Sequence, residues 1–351
     1  MTAAPTFFAL SPEEARERVL ALGGRPFHVD VIRREVLERG VLDPERMTSL
    51  SKDLRRVLAA ELPLLSTREV ERRSSPDGTT KLLLELSDGN TVETVHMPPL
   101  PGDRTRTGAT LCVSTQVGCA VGCPFCASGR AGIVRNLAAH EILEQYLHGR
   151  TLGPLSRSVV MGIGEPLLNQ ENLLAALRIV NGELGLGARR ITVSTVGFPE
   201  RLARLALLRP PFQLAISLHS PDDEQRAHLV PAMANVTVEE VLAAGDRWFE
   251  VTGREVTYEY CLLGGTNDTT GHAERLVRRL ERRRCSVNLI PYNPIPGDVY
   301  RRPAPREAER FRDLLAAGGI VATIRWSRGV DTDAACGQLR IRRRGESPLG
   351  T

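Results

Sequence analysis

No stretch of the chain approaches the roughly 18 unbroken apolar residues that a membrane-spanning helix needs, so no membrane partner is expected. The N-terminus, Met1-Thr2-Ala3-Ala4-Pro5, has no basic segment followed by a long apolar run. Without a secretory signal to read, a cytoplasmic protein is expected. Lysine is nearly missing: of 46 cationic side chains only Lys52 and Lys81 are lysine, and the rest are arginine. A GC-rich coding sequence accounts for such a bias, yet guanidinium forks grip phosphate well whatever their origin. Cysteine is sparse and odd in number, seven in 351 residues, which excludes a disulfide-framed miniprotein and points to a reducing compartment. Collagen and coiled-coil repeats are absent as well.

What is present is ordinary globular composition, 42% hydrophobic and 25% charged, in a length that suggests about two domains with ample core. The net charge of +4 permits a polyanionic partner without requiring one. Residues 1–62 read as a small helical unit, opened by the capping box Ser11-Pro12-Glu13-Glu14 with proline at the first helical position. Residues 63–106 change to alternation, with turns at Ser75-Pro76-Asp77-Gly78 and Asp88-Gly89-Asn90, and predict a three-stranded antiparallel meander and a linker. Residues 107–339 repeat strand, loop and helix about six times. The strands are predicted at 109–114, 158–163, 190–195, 213–218, 255–262 and 286–291, and residues 340–351 form a short basic tail. Strands alternating with helices imply a parallel sheet, either a partial barrel or an open doubly wound sheet, with the chemistry at the C-terminal strand ends.

The first predicted strand runs into Cys119-Ala120-Val121-Gly122-Cys123-Pro124-Phe125-Cys126, three thiols spaced C-x3-C-x2-C. Three close thiolates are soft ligands that suit iron–sulfur or zinc, with a redox pair as a third possibility. A tetrahedral zinc would need a fourth ligand, which only Cys112 is near enough to supply, whereas three ligands on a four-iron cluster leave one iron open to a substrate. The other strand ends carry Gly164-Glu165-Pro166, Ser194-Thr195, Ser217-Leu218-His219 and Asn293. Together they ring one rim where a nucleotide-like ligand could be held. Cys336, in Asp333-Ala334-Ala335-Cys336-Gly337-Gln338, is flanked by residues that suggest a flexible, exposed loop and a reactive thiol.

With these residues in view the chain resembles the RlmN/Cfr family of radical S-adenosylmethionine (SAM) RNA methyltransferases, from about Ser11 to Leu339. The resemblance is carried by the thiol loop with Arg135-Asn136-Leu137 after it, and by Gly164-Glu165-Pro166-Leu167-Leu168-Asn169 and Ile216-Ser217-Leu218-His219. Asn288-Leu289-Ile290-Pro291-Tyr292-Asn293-Pro294 and Asp333-Ala334-Ala335-Cys336-Gly337-Gln338-Leu339 complete it. The thiol loop alone indicates only the radical SAM superfamily; Cys112 and Cys336 narrow it. The resemblance implies a partial (βα)6 barrel holding a [4Fe-4S] cluster on Cys119, Cys123 and Cys126. It also implies SAM contacts from Gly164, Glu165, Ser194, Ser217, Leu218, His219 and Asn293. Cys336 would take a methyl group from one SAM. A second SAM, cleaved reductively, would yield a radical that abstracts hydrogen from that S-methyl group, and the carbon radical would add to an adenine ring carbon of RNA. Cys112 would help resolve the covalent adduct, and Glu93 matches the family's proton acceptor. The implied target is adenine C2, or else C8, in 23S rRNA and possibly tRNA. Flavodoxin or ferredoxin would serve as electron donor, the protein would be a monomer, and a disulfide bond is a further expectation. A reading of a different class is a zinc-stapled RNA-binding protein without catalysis, with Cys112 completing a four-thiolate site.

Overall fold

The structure is a computed structural model that describes residues 5–103, 107–295, 297–329 and 333–339. The basic tail at 340–351 therefore lies outside the described residues. The N-terminal part holds three helices, α1 (Pro12–Ala21), α2 (His28–Leu37) and α3 (Lys52–Glu61). The predicted capping box starts the first: Glu14 N–H donates to Ser11 Oγ, and Ser11 N–H to the Glu14 carboxylate. Val19, Ile32, Val36 and Leu58 point inward from these helices into one core shared with the rest of the chain.

The meander is β1 (Arg68–Ser74), β2 (Thr80–Glu85) and β3 (Thr91–Met97). It does not stand apart. β3 pairs antiparallel with β4 (Ala109–Cys112), so the meander prolongs the edge of the main sheet. A small ribbon, β5 (Gln116–Gly118) against β6 (Ile133–Asn136), brackets the thiol loop and the short helix α4 (Ala127–Arg130). Then follow α5 (Ala139–Arg150), β7 (Leu155–Val160), α6 (Gln170–Gly182), β8 (Ile191–Thr195), α7 (Pro199–Leu207), β9 (Gln213–Ser217), α8 (Asp223–Leu229), α9 (Val238–Thr252), β10 (Val256–Leu262), α10 (Thr270–Leu280), β11 (Cys285–Pro291), α11 (Pro305–Ala317) and β12 (Ala322–Ile324).

The parallel strands lie in the order β4-β7-β8-β9-β10-β11-β12. Each new strand is laid beside the one before it, and the order never reverses. A doubly wound sheet reverses at a switch point, so this order selects the partial barrel. Six of the strands coincide, within a few residues, with those predicted. The seventh, β12, is three residues long and pairs with β11 through Val287–Ala322 and its neighbours, too short to leave a periodic signal. Strand interiors such as β10, with Val256, Tyr258 and Tyr260 through Leu262 buried, are apolar on both faces, as parallel strands covered on both sides must be.

Candidate active site

The C-terminal ends of the strands surround a cavity, and most of the predicted site residues line it. Cys119, Cys123 and Cys126 come from the loop after β5, Glu165 and Gly164 from the loop after β7. Ser194, Ser217, His219, Asn293 and Cys336 close the ring. Leu218 does not line it: its side chain is fully buried in the core, and its N–H donates to the Glu259 carbonyl.

The thiol loop is held by backbone geometry. Cys119 N–H bonds to the Gly132 carbonyl at 2.8 Å, and Gly129 sits so close beneath the loop that a Cβ there would lie 2.7 Å from Cys123 N. Burial pushes the Cys119 thiol up to about 12 and the Cys123 thiol well above its ordinary value, with mutual repulsion among the thiols adding to both. Such thiols become thiolates only when a cation binds them. Among the described residues no three His, Cys, Asp or Glu side chains are gathered closely enough for a bare metal ion. Four thiolates around one zinc stand only about 3.8 Å apart, from zinc–sulfur bonds of about 2.3 Å. Three soft thiols on one loop, all lining one cavity, fit a four-iron cluster, whose corners carry one thiolate each and whose fourth iron would stay open. Cys112 takes no part in that group. It packs instead with Val95, Val159, Ala334 and Leu339 inside the barrel, which removes the fourth ligand that the zinc-stapled reading required.

Glu165 is buried, and its carboxylate already accepts three hydrogen bonds: from Leu167 N–H at 2.9 Å, from Thr195 Oγ1 at 2.5 Å and from Val196 N–H at 2.9 Å. It therefore ties the β7 and β8 loops together and keeps at most one lone pair for a ligand donor. Burial raises its pKa. Its own N–H bonds to Gln116 Oε1, and Gly164, with φ of 110°, lies where a Cβ would strike Gln116. Other residues of the same motifs are structural. Asn169 donates to the Thr115 and Leu137 carbonyls, and Asn136 to the Leu168 carbonyl, so the ribbon and the β7 loop lock each other.

His219 adopts the left-handed region at φ 63° and accepts the Cys261 N–H at Nδ1, 3.1 Å. Burial, aided by the nearby Arg226 cation, drops its pKa to about 3, so the ring is neutral and its proton sits on Nε2. Arg226 was not singled out from sequence. It is buried, donates to the Val196 and Ser217 carbonyls, and lies close enough to Cys123 for each to favour the other's charge. Glu259 also escaped notice. Thr323 Oγ1 donates to Asn288 Oδ1 at 2.5 Å, Asn288 Nδ2 donates to Glu259 Oε1 at 3.2 Å, and the buried Glu259 Oε2 is left without a partner in the cavity wall. An orphaned buried acceptor facing a cavity is a place for a ligand donor. Neither residue lies in a glycine-rich or cysteine-rich motif, so only the strand register, with Glu259 opposite both Ser217 and Asn288, could have revealed the second.

Cys336 differs from the flexible loop expected. Asn293 Nδ2 bonds to its carbonyl at 3.0 Å, Ala127 N–H to the Gly337 carbonyl at 2.8 Å, and Ser128 Oγ to the Leu339 carbonyl at 2.5 Å. Lys81 Nζ reaches the Asp333 carbonyl at 2.9 Å. The segment 333–339 is thus stapled to the thiol loop and to the meander. The Cys336 side chain is exposed, as expected, and lines both cavities, while the protein around it pushes the thiol up to about 12. A second cavity begins at Cys336 and runs down the barrel interior past Cys112; Met161, Ile290, Cys336 and Leu339 form the waist between the two. All seven cysteines are free thiols, so the disulfide implied by the resemblance is not formed.

Glu93 lines neither cavity. It is buried in an ion pair with Lys81, 3.0 Å from Nζ. It lies two residues before Val95, on the same face of β3, and Val95 is the register partner of Cys112.

A partial barrel with three thiols looped over the strand ends defines the class, a radical SAM enzyme, and residues 113–277 match the radical SAM superfamily. A crystal structure of a radical SAM methyltransferase from Sphaerobacter thermophilus shares the fold with a TM-score of 0.88 and 42% identity, covering 96% of this chain and 99% of that one. A probable dual-specificity RNA methyltransferase RlmN from Rhodopirellula baltica is 43% identical over 342 residues, 96% of this chain and 90% of its own. The protein of that name from Bacillus licheniformis is 41% identical over 352 residues, 98% of this chain and 96% of its own. The chain belongs to the RlmN family of radical SAM RNA methyltransferases and is an S-adenosylmethionine-dependent enzyme.

Proposed function

We propose that the enzyme methylates C2 of an adenine in RNA, with Cys336 as the carrier of the methyl group. The observation that supports this most is the place of Cys336, at the waist between the cavity of the loop thiols and the cavity of Cys112. Cys119, Cys123 and Cys126 would hold the [4Fe-4S] cluster, and Gly164, Glu165, Ser194, Ser217, His219 and Asn293 would surround SAM, with Leu218 contributing only backbone. Bound there, cluster and SAM supply both a methyl group and a carbon radical able to remove hydrogen from an unactivated methyl. An amidine carbon such as adenine C2 is electrophilic, so simple displacement of a methyl group from a sulfonium has no nucleophile to use; a thiol-borne carbon radical removes that obstacle. Cys336 Sγ loses its proton and takes the methyl group, and Asn293 fixes the backbone that aims it. Glu93, buried against Lys81 behind the cavity residue Val95, would have to part from that lysine to accept the proton that leaves the adenine ring. Cys112 Sγ, on the far side of the waist, loses its proton and attacks Cys336 Sγ. A Cys112–Cys336 disulfide forms as the S–C bond to RNA breaks, and the electron pair passes to the methylene carbon, which takes a proton to become the new methyl group. The reductant returns both cysteines to the free thiols seen here. Relatives named as dual-specificity RNA methyltransferases support an RNA substrate; the substrate proposed is 23S rRNA, with tRNA as a second target, and a flavodoxin or ferredoxin as reductant.

The test uses nucleosides. RNA from a strain lacking this chain should lose 2-methyladenosine and regain it with the wild-type gene; recovery of 8-methyladenosine instead would move the chemistry to C8.

A further inference from the structure

The second cavity has a basic mouth. Arg157, Arg189, Arg190, Arg325 and Arg328 line it, against the single carboxylate Asp103. Two of these arginines are committed: Arg328 to Asp77 and the Pro98 carbonyl, Arg325 inward towards Met161. Arg157, Arg189 and Arg190 sit at the starts of β7 and β8, are exposed, and have no ion-pair partner among the described residues. Uncompensated arginines around a channel that leads to a thiol pair match the charge of a nucleic-acid backbone. Beside them Trp326, 44% exposed, lies in the cavity wall just after β12. Its indole is covered in part by the Arg302 guanidinium, 6.0 Å from the ring centroid. Arg302 donates to Asn293 Oδ1 at 2.8 Å, and Asn293 holds the Cys336 carbonyl. An exposed aromatic face flanked by free arginines is how proteins seize unstacked bases of single-stranded RNA.

We propose that this mouth is the port through which a single-stranded RNA loop reaches Cys336, with Trp326 stacking on the nucleobase beside the inserted adenine and Arg157, Arg189 and Arg190 taking the phosphates. The inference rests on the reading of adenine methylation and adds the residues that receive the substrate. The Trp326–Arg302–Asn293 chain ties the stacked base to the loop carrying Cys336, so Trp326 is a positioning residue for RNA. Insertion of a flipped adenine past it costs unstacking, which the stacked neighbour offsets in part.

The chain has two tryptophans, and Trp248 is fully buried against Phe212 and out of reach of RNA, so a change in indole fluorescence on RNA binding reports on Trp326. A stem-loop RNA with an adenine in its loop should quench the wild-type signal on binding. Trp326→Ala should abolish quenching and raise KM for that RNA about tenfold, with kcat changed less than twofold, and Trp326→Phe should restore KM to within about threefold. Replacing Arg157, Arg189 and Arg190 together by Gln should flatten the slope of log affinity against log salt by about two. RNA binding without quenching, or an unchanged KM in Trp326→Ala, would overturn the port. RNA that binds with quenching yet gains no methyl group would instead overturn the adenine-methylation reading and leave the port standing.

Discussion

Lys81 is one of two lysines in the chain, and it joins Glu93 on the meander to the Asp333 carbonyl beside Cys336. Removing one partner of a buried pair leaves an uncompensated charge, so Lys81→Met should cost about 3–5 kcal/mol of stability. The double variant Lys81→Met/Glu93→Gln should recover most of that loss in a urea titration; equal losses in both would show that the pair is not the cause. His219 sets a pH dependence. Its folded pKa of about 3 lies below the unfolded value near 6.5, so its contribution is complete above pH 6.5 and is lost as pH falls towards 3. His219→Asn should flatten the fall of the unfolding midpoint between pH 6.5 and 4, and an unchanged slope would assign the fall to other groups. Cys112 and Cys336 should fail differently. RNA should stay covalently attached to Cys112→Ala, giving a nuclease-sensitive slow band on denaturing gels that Cys112→Ala/Cys336→Ala lacks. Normal RNA turnover by Cys112→Ala with no such band would return Cys112 to a packing role.

Among the elements, the thiol loop depends on the close approach of α4 to Cys123. Gly129→Ala would drive a Cβ into the Cys123 backbone at 2.7–2.8 Å, so the anaerobically reconstituted variant should hold less than half the wild-type iron. Full iron content would mean that the loop can move aside at no cost. The six strands and the rim they carry were legible in the sequence because parallel strands are continuous apolar runs that end in polar and glycine turns, as in Val193 to Gly197. The thiol spacing was legible for the same local reason. Less local features left no trace. β12 is three residues long, Arg226 and Glu259 acquire meaning only across neighbouring strands, and the anchoring of 333–339 uses partners such as Ser128 and Lys81 more than 200 residues away. Glycines and aspartates around Cys336 therefore read as a loose loop, although tertiary hydrogen bonds hold it.

At the scale of the whole molecule, the sheet carries the meander, the barrel and both cavities as one continuous surface, and Cys336 stands where the cavities meet. No described helix is long and apolar enough to cross a membrane. On the proposed function the waist would separate two tasks, with the residues proposed for SAM on one side of it and those proposed for RNA on the other. Cys336 is the one thiol that lines both cavities. The account therefore stands or falls on whether carbon reaches RNA through that thiol. A strain lacking the chain, complemented by wild type or by Cys336→Ala, gives the direct measurement when its total RNA is digested to nucleosides. Wild type should restore 2-methyladenosine and Cys336→Ala should restore none; 2-methyladenosine at the wild-type level with Cys336→Ala would contradict the account.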